Sequence, residues 1–359
     1  MEAGGSFEDY LRERGGYVDE LLRQYLVTRA SDEFLARLLG KPSYKYDTEA
    51  ITKTIFEPTW YLLGSGGKRW RPVLMLLVME ALGKNPDDFA EFAIIPELVH
   101  NATLIHDDIE DGSPKRRGID AVHVKYGEDV AINVGDYLYF FPILALLDSG
   151  KLTTRTKNAV LSIYLREMVR VCTGQSIDIA WHRSLIDPLG ITEDNYMQMV
   201  YDKSGVLPRM ACSLAAALCG ANKRAVSAMG HFGATIGVAF QIQDDVLNIY
   251  ESDLSKNKGM VGDDITEGKI TLLVIHAMQK SSESDRKRLL EILGSHTRDP
   301  AVIRDAIDII DRSGAKEFAA KTENKIVTDA WARVDRLLQE SPAKDRLKQL
   351  TQFLINRTV

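Results

Sequence analysis

The sequence predicts an all-α protein made of a single domain. Apolar residues recur at helical spacing along most of its 359 positions. No run alternates apolar and polar residues as a half-buried strand does, and no hairpin dipeptide joins β-branched runs. No repeat of roughly 20–50 residues is visible, and no low-complexity linker divides the chain.

Phe7 to Leu39 carries helical apolar spacing, through Leu21, Leu22, Tyr25, Leu26, Phe34, Leu35, Leu38 and Leu39, and Gly40-Lys-Pro42-Ser ends it. A second helix is expected over Thr48–Leu63, stopped by Gly64-Ser-Gly66-Gly67. Lys68-Arg69-Trp70-Arg71-Pro72 follows. Pro72 suits the first turn of a helix over Val73–Leu82. Asn85-Pro86-Asp87-Asp88 reads as the start of a long helix ending in an acidic stretch at Asp111. After the polar loop Gly112–Gly118, helices are expected over Val130–Leu147 and Thr153–His182. Thr192 opens another with an acidic first turn, and Lys203-Ser204-Gly205 and Pro208 interrupt it. Arg224–Tyr250 ends at a second acidic site. Amphipathic helices over Thr266–Lys280, Ser284–Leu293, Pro300–Arg312, Ala315–Glu340 and Ala343–Asn356 complete the chain.

Composition narrows the class. The chain is 45% hydrophobic and 27% charged, enough apolar material for a large core. With 45 basic and 51 acidic residues the net charge is −6, which argues against nucleic acid as a partner. Cys172, Cys212 and Cys219 are odd in number and lack metal-ligand spacing, so buried free thiols in a reducing compartment are expected. The acidic first residues have no apolar core, so no signal peptide is expected. The longest apolar runs, Val73–Met79 and Tyr137–Leu147, fall short of the ~20 residues of a membrane span. A soluble cytoplasmic protein without a membrane span is the expectation.

The chemistry centres on Leu104-Ile-His-Asp107-Asp108-Ile-Glu-Asp111. Asp107 and Asp111 share a helix face, and Asp108 flanks it. Like charges at this spacing destabilise a bare helix by about 0.2–0.5 kcal/mol per pair. A positive partner is needed, and carboxylate oxygens suit a hard divalent cation such as Mg²⁺. Alone, the stretch reads equally as a solvated acidic helix end. A second acidic pair, Asp244-Asp245, closes Phe240-Gln241-Ile-Gln243-Asp244-Asp245-Val-Leu-Asn248. Two such pairs, facing each other across a bundle, would line a cavity able to hold several ions and a diphosphate. Basic residues cluster to match. Lys68, Arg69 and Arg71 follow a glycine-rich turn, and Arg116 and Arg117 follow the first acidic stretch. Lys203 lies at the helix break, and Lys258 and Lys269 flank Gly262-Asp263-Asp264. Donors in loops beside helix ends can converge on phosphate oxygens.

Over residues 60–280 the sequence closely resembles the trans-isoprenyl diphosphate synthase family. The aspartate-rich motif DDxxD stands as Asp107-Asp108-Ile-Glu-Asp111, and GGKRxRP as Gly66-Gly67-Lys68-Arg69-Trp70-Arg71-Pro72. The double arginine with glycine is Arg116-Arg117-Gly118, and the GQ pair is Gly174-Gln175. The lysine–serine pair is Lys203-Ser204, and FQxxDD runs from Phe240 to Asp245. The resemblance implies a helical bundle of the isoprenoid synthase type with a central diphosphate and Mg²⁺ cavity, residues 281–359 forming its C-terminal helices. It implies a homodimer. It also implies head-to-tail condensation of an allylic diphosphate with isopentenyl diphosphate.

The resemblance assigns roles residue by residue. Asp107 and Asp111 are similar to ligands of two Mg²⁺ ions, with Asp108 in support, and Asp244 to a ligand of a third; Mn²⁺ can stand in. Asp245 belongs to the same catalytic motif. Lys68, Arg71, His100 and Arg117 match the isopentenyl diphosphate site. Arg116, Lys203, Ser204, Gln241, Lys258 and Lys269 match the allylic diphosphate site. His100 rests on the resemblance alone, and His106 and His123 read as structural.

Two departures stand out. Asn248 replaces the aspartate that many members carry, giving DDxxN, and Asn is a weaker metal ligand. Both this form and Asp264-Ile-Thr-Glu-Gly-Lys269 resemble eukaryotic-type geranylgeranyl diphosphate synthases. The segment Lys258–Gly262 is one residue longer than the common bacterial spacing, which weakens the case for Lys258. Product length should depend on Ala102 and Thr103, and further back Val99, because they precede Asp107 by one to two turns. Small residues there let a tail pass, which predicts C20 or longer, with C20 favoured by the DDxxN resemblance. The alternatives are a C30–C50 polyprenyl synthase, a non-catalytic regulatory subunit of a heteromeric synthase, and a class I terpene cyclase. The two intact aspartate pairs disfavour the regulatory subunit. Lys68, Arg71 and Arg117, which match an isopentenyl site that a cyclase does not need, disfavour the cyclase.

Overall fold

The computed structural model describes residues 7–250 and 262–355. They are helical apart from loops and one two-residue strand pair. Two compact units are present. The first comprises Met1–Ser162 with Leu214–Ala221, and the second Ile163–Ser213 with Asn222–Val359.

In the first unit the apolar composition of Val73–Met79 dictates its place. A helix apolar all round must be enclosed, and every residue of that run is fully buried within the Trp70–Ala81 helix. The Ile94–Glu110 helix packs against Glu128–Leu147. Gly135 makes that close approach possible, because a Cβ there would lie 2.3 Å from the His106 ring. His106 in turn stacks on Tyr139 with centroids 5.1 Å apart.

The second unit is built around Lys223–Ile249, which packs against Ala315–Val334. Its core joins Tyr196, Ile242, Leu272, Leu273 and Ile309 among others. Glu128–Leu147 and Lys223–Ile249 are both long and apolar enough to cross a membrane by length and composition. The apolar runs alone did not mark them. Each packs against a helix of its own unit.

Several boundaries differ from expectation, each for a local reason. Phe7–Leu39 is two helices, Phe7–Tyr25 and Asp32–Leu39, because the Ser31 side chain caps the second by accepting from the Phe34 amide. Asn85 caps only a short 3₁₀ turn, Pro86–Asp88, and the long helix starts at Ile94. Lys115–Arg116 and Ile119–Asp120 form an antiparallel pair that the strand reading did not anticipate. Arg117 and Gly118, both at positive φ, make its two-residue turn. Thr266–Lys280 divides into Asp263–Thr266 and Leu272–Lys280, the latter capped by Thr271. The helix expected to reach Glu340 ends at Val334. Cys212 is buried, Cys219 half-buried and Cys172 exposed, so the expectation of three buried thiols fails at Cys172, which sits on an outward face of Thr154–His182.

Candidate active site

The Ile94–Glu110 helix delivers Asp107, Asp108 and Asp111 at its C-terminal end, where the helix dipole is already negative. Cationic compensation is therefore needed, and Arg116 supplies some of it. Its Nε donates to Asp108 Oδ1 at 2.8 Å, and its Nη2 lies 3.6 Å from Asp107 Oδ2. The three carboxylates differ in access. Asp108 is 1% exposed, and its Oδ2 is buried without a hydrogen-bond partner. Burial pushes the Asp108 carboxyl up, while Arg116 pulls it back down. Asp107 and Asp111 are half-buried, leaving oxygen donors at the surface of the unit. The donor set suits a hard divalent cation. Among the described residues, however, no three His, Cys, Asp or Glu side chains converge as a preformed metal cage.

The strand pair sets Arg116 and Arg117 at the end of the same helix. A hairpin turn with both residues at φ > 0 fits the right-handed twist of its strands. Here Arg117 occupies a position usually given to Asn, Asp or Gly, with φ 51°. Arg117 Nη1 donates to Gly66 O at 2.5 Å, which ties the arginine turn to the glycine-rich turn. Lys68 is exposed and Arg71 half-buried, with the Arg71 guanidinium 4.6 Å over the Trp70 ring.

His100 sits amid these charges. Burial, with the charges of Arg71, Arg117, Arg116 and Arg69, holds its pKa well below the ordinary value, so it is neutral. A neutral imidazole beside four guanidiniums is a hydrogen-bonding group in a positive field, the setting for an anion. Of the residues proposed to set chain length, Ala102 is fully buried and Thr103 half-buried.

In the second unit the helix break at Ser204-Gly205 is held by backbone contact. A Cβ on Gly174 would lie 2.5 Å from Asp202 C and Lys203 N. One on Gly237 would lie 2.7 Å from Ser204 O. Only glycine permits this packing, which sets the end of Glu193–Lys203 against Thr154–His182 and against Lys223–Ile249. Lys203 pairs with the buried Asp178. Ser204 Oγ donates to Gln241 Oε1 at 2.8 Å, and Gln241 Nε2 donates to Asp245 Oδ1 at 2.8 Å. The fully buried Tyr196 donates its hydroxyl to Asp245 Oδ2 at 2.7 Å.

Asp245 is 4% exposed, and burial with the charge of Asp264 pushes its carboxyl up to about 8. It is an internal anchor, whereas its neighbour Asp244 is half-buried. Lys269 pairs with Glu267 and lies 3.6 Å from Asp264. Asn248 Oδ1 accepts the Asp264 amide at 3.1 Å, so its side chain holds the first turn of Asp263–Thr266 where a third carboxylate would stand in the common motif. Burial, with the charges of Lys269 and Lys203, holds His182 below its ordinary value against the pull of Asp178. Lys258 lies outside the described residues.

Sequence reasoning missed Glu97, Asn101, Asp178 and Tyr196. Each is a polar group that the structure buries, and a lone Glu in the otherwise apolar run Ile94–Val99 was a usable signal.

Comparisons with known proteins identify the family. A polyprenyl synthetase family model matches residues 52–310, a range that runs through both units. A short chain isoprenyl diphosphate synthase of Methanothermobacter thermautotrophicus is 38% identical, covering 95% of this chain and 98% of that protein. A geranylgeranyl diphosphate synthase of Methanosarcina mazei is 33% identical, covering 84% of this chain and 90% of that protein. The crystal structure of geranylgeranyl pyrophosphate synthetase from Pyrococcus horikoshii matches with a TM-score of 0.83 at 28% identity, over 98% of each chain. The fold is that of the isoprenoid synthases, and the chain belongs to the polyprenyl synthetase family of trans-isoprenyl diphosphate synthases and is a prenyltransferase.

Proposed function

We propose that this enzyme condenses an allylic diphosphate with isopentenyl diphosphate head-to-tail and that its product is C20 geranylgeranyl diphosphate. The carrying observation is the arginine turn, with Arg116 bonded to Asp108 and Arg117 to Gly66, set beside the helix that ends in Asp107 and Asp111. Lys68, Arg71, His100 and Arg117 take the isopentenyl headgroup. Arg116, Lys203, Ser204, Gln241, Lys258 and Lys269 take the allylic one. Three Mg²⁺ ions, held by Asp107, Asp111 and Asp244, would supply charge neutralisation to the departing diphosphate, a role Mn²⁺ can also fill.

The chain's own cations act in the same sense. As the allylic C–O bond breaks, negative charge grows on the leaving oxygen, and fixed ammonium and guanidinium groups favour that state over the intact ester. The double bond of isopentenyl diphosphate attacks the allylic carbon. Loss of a proton to the released diphosphate completes a five-carbon extension. The C20 length is supported by the small, half-buried side chain at Thr103 and by a relative named for that product. Diphosphate release by the purified protein is expected to require dimethylallyl diphosphate, isopentenyl diphosphate and Mg²⁺ together, and to stop with a chelator. Turnover without isopentenyl diphosphate would overturn this reading.

Exposed apolar side chains support a homodimer. Ile132, Phe140 and Leu147 form one stripe of Glu128–Leu147, and Leu165 and Val169 another on Thr154–His182. Sedimentation is expected to give twice the chain mass, and Phe140→Glu to reduce it. A monomeric wild type would contradict the assignment.

A further inference from the structure

Only four described residues other than glycine have positive φ, and two of them are Arg69 at 49° and Arg117 at 51°. Such strain persists where surrounding contacts over-determine the backbone, and it clusters at functional sites. Here the contacts converge on one buried carboxylate. Arg69 Nη1 donates to Glu97 Oε1 at 2.7 Å, its Nη2 to Leu63 O at 2.7 Å and its Nε to Asp19 Oδ1 at 2.9 Å. Asn101 Nδ2 donates to Glu97 Oε1 at 2.9 Å and to Glu97 O at 2.8 Å. Asn101 Oδ1 accepts from Arg117 Nη1 at 3.4 Å. Gly66 O accepts from Arg117 at 2.5 Å and lies 3.5 Å from Arg69 Nη1, and Gly67 packs against both guanidiniums. Glu97 is 2% exposed, Asn101 fully buried and Arg69 6% exposed.

Arg69 is thus turned inward as a tether while its neighbours Lys68 and Arg71 stay accessible. We infer that Glu97 and Asn101 are positioning residues that clamp the two strained turns together and so set the isopentenyl diphosphate headgroup site. The inference rests on the proposed function. Asn101 ties Arg117 to Glu97, and Glu97 holds Arg69. One carboxylate therefore fixes both the glycine-rich turn and the arginine turn. Loss of the clamp should loosen the isopentenyl headgroup and spare the allylic one, because Arg116, the allylic contact on the same turn, is held separately by Asp108 at 2.8 Å.

The test is steady-state kinetics of the full-length wild type, Glu97→Gln and Asn101→Ala, with each substrate varied in turn and melting temperature measured in parallel. KM for isopentenyl diphosphate should rise ten-fold or more in both variants, with KM for the allylic substrate within two-fold of wild type. Asn101→Ala leaves the Arg69–Glu97 pair in place, so it decides the matter if Glu97→Gln fails to fold. An unchanged isopentenyl KM in Asn101→Ala would overturn the inference. So would both KM values rising together with a lowered melting temperature, which marks a purely structural role. A wild type that turns over without isopentenyl diphosphate would overturn the proposed function as well, and that control tells the two failures apart.

Discussion

Gly174→Ala is a one-atom-group perturbation whose effect can be worked from distances. The added Cβ would lie 2.5 Å from Asp202 C and Lys203 N, and ordinary contact begins at 3.4 Å. The end of Glu193–Lys203 must therefore retreat by about 0.9 Å, since both clashing atoms are backbone and cannot rotate away. Lys203 moves with it and leaves Asp178. Overpacking of this kind costs about 1–3 kcal/mol of stability. A displacement near 1 Å in a group that positions substrate costs on the order of 10²-fold in rate. The assay is kcat/KM for the allylic substrate, alongside thermal melting. Gly16→Ala is the control, because a Cβ there meets nothing within 4 Å. It should stabilise the Phe7–Tyr25 helix by roughly 0.5–1 kcal/mol. If Gly174→Ala leaves kcat/KM within two-fold and melting unchanged, the claim that backbone contact places Lys203 is wrong.

Three further predictions follow from burial and bonding. Tyr196→Phe removes one donor from Asp245 without changing shape. Leaving a buried acceptor without its partner costs about 1–3 kcal/mol, so kcat/KM should fall about five-fold or more, and wild-type kinetics would refute the anchoring role. Thr103→Phe should shorten the product, because Thr103 is half-buried, whereas Ala102→Phe would enter packed protein and lower the melting temperature as well. An unchanged chain length in a folded Thr103→Phe protein counts against this wall. Glu323 is 3% exposed, and burial pushes its carboxyl up to about 8. Its folded pKa exceeds the unfolded one, so its neutral form is favoured in the fold at low pH and that advantage is lost as pH rises through 8. Glu323→Gln should therefore stabilise the protein by about 1–3 kcal/mol at pH 9 and change little at pH 4. Equal melting shifts at both pH values would refute the assignment.

The helices were legible because their apolar faces are large and their caps local. Thr192, Thr271 and Ser282 each accept the amide three residues on, as their sequence context implies. The arginine hairpin was not legible. Its turn is Arg117-Gly118, and the strain at Arg117 is held by Gly66 and Asn101, which are distant in sequence. The aspartate pairs could be read as chemistry, but not the division of labour within each. Asp108 and Asp245 are buried anchors and Asp107 and Asp244 are accessible, a distinction set by which helix face meets protein. Glu97 could be noticed as a charge in an apolar run. Its meaning depends on Arg69, an inward-turned residue within a basic cluster whose neighbours stay accessible.

The central claim is the condensation itself and where it stops. Purified protein given dimethylallyl diphosphate, excess isopentenyl diphosphate and Mg²⁺ should accumulate a C20 product, read by chain length after removal of the diphosphate. Product that stops at C10 or C15, or that runs on to C30–C50, would contradict the account.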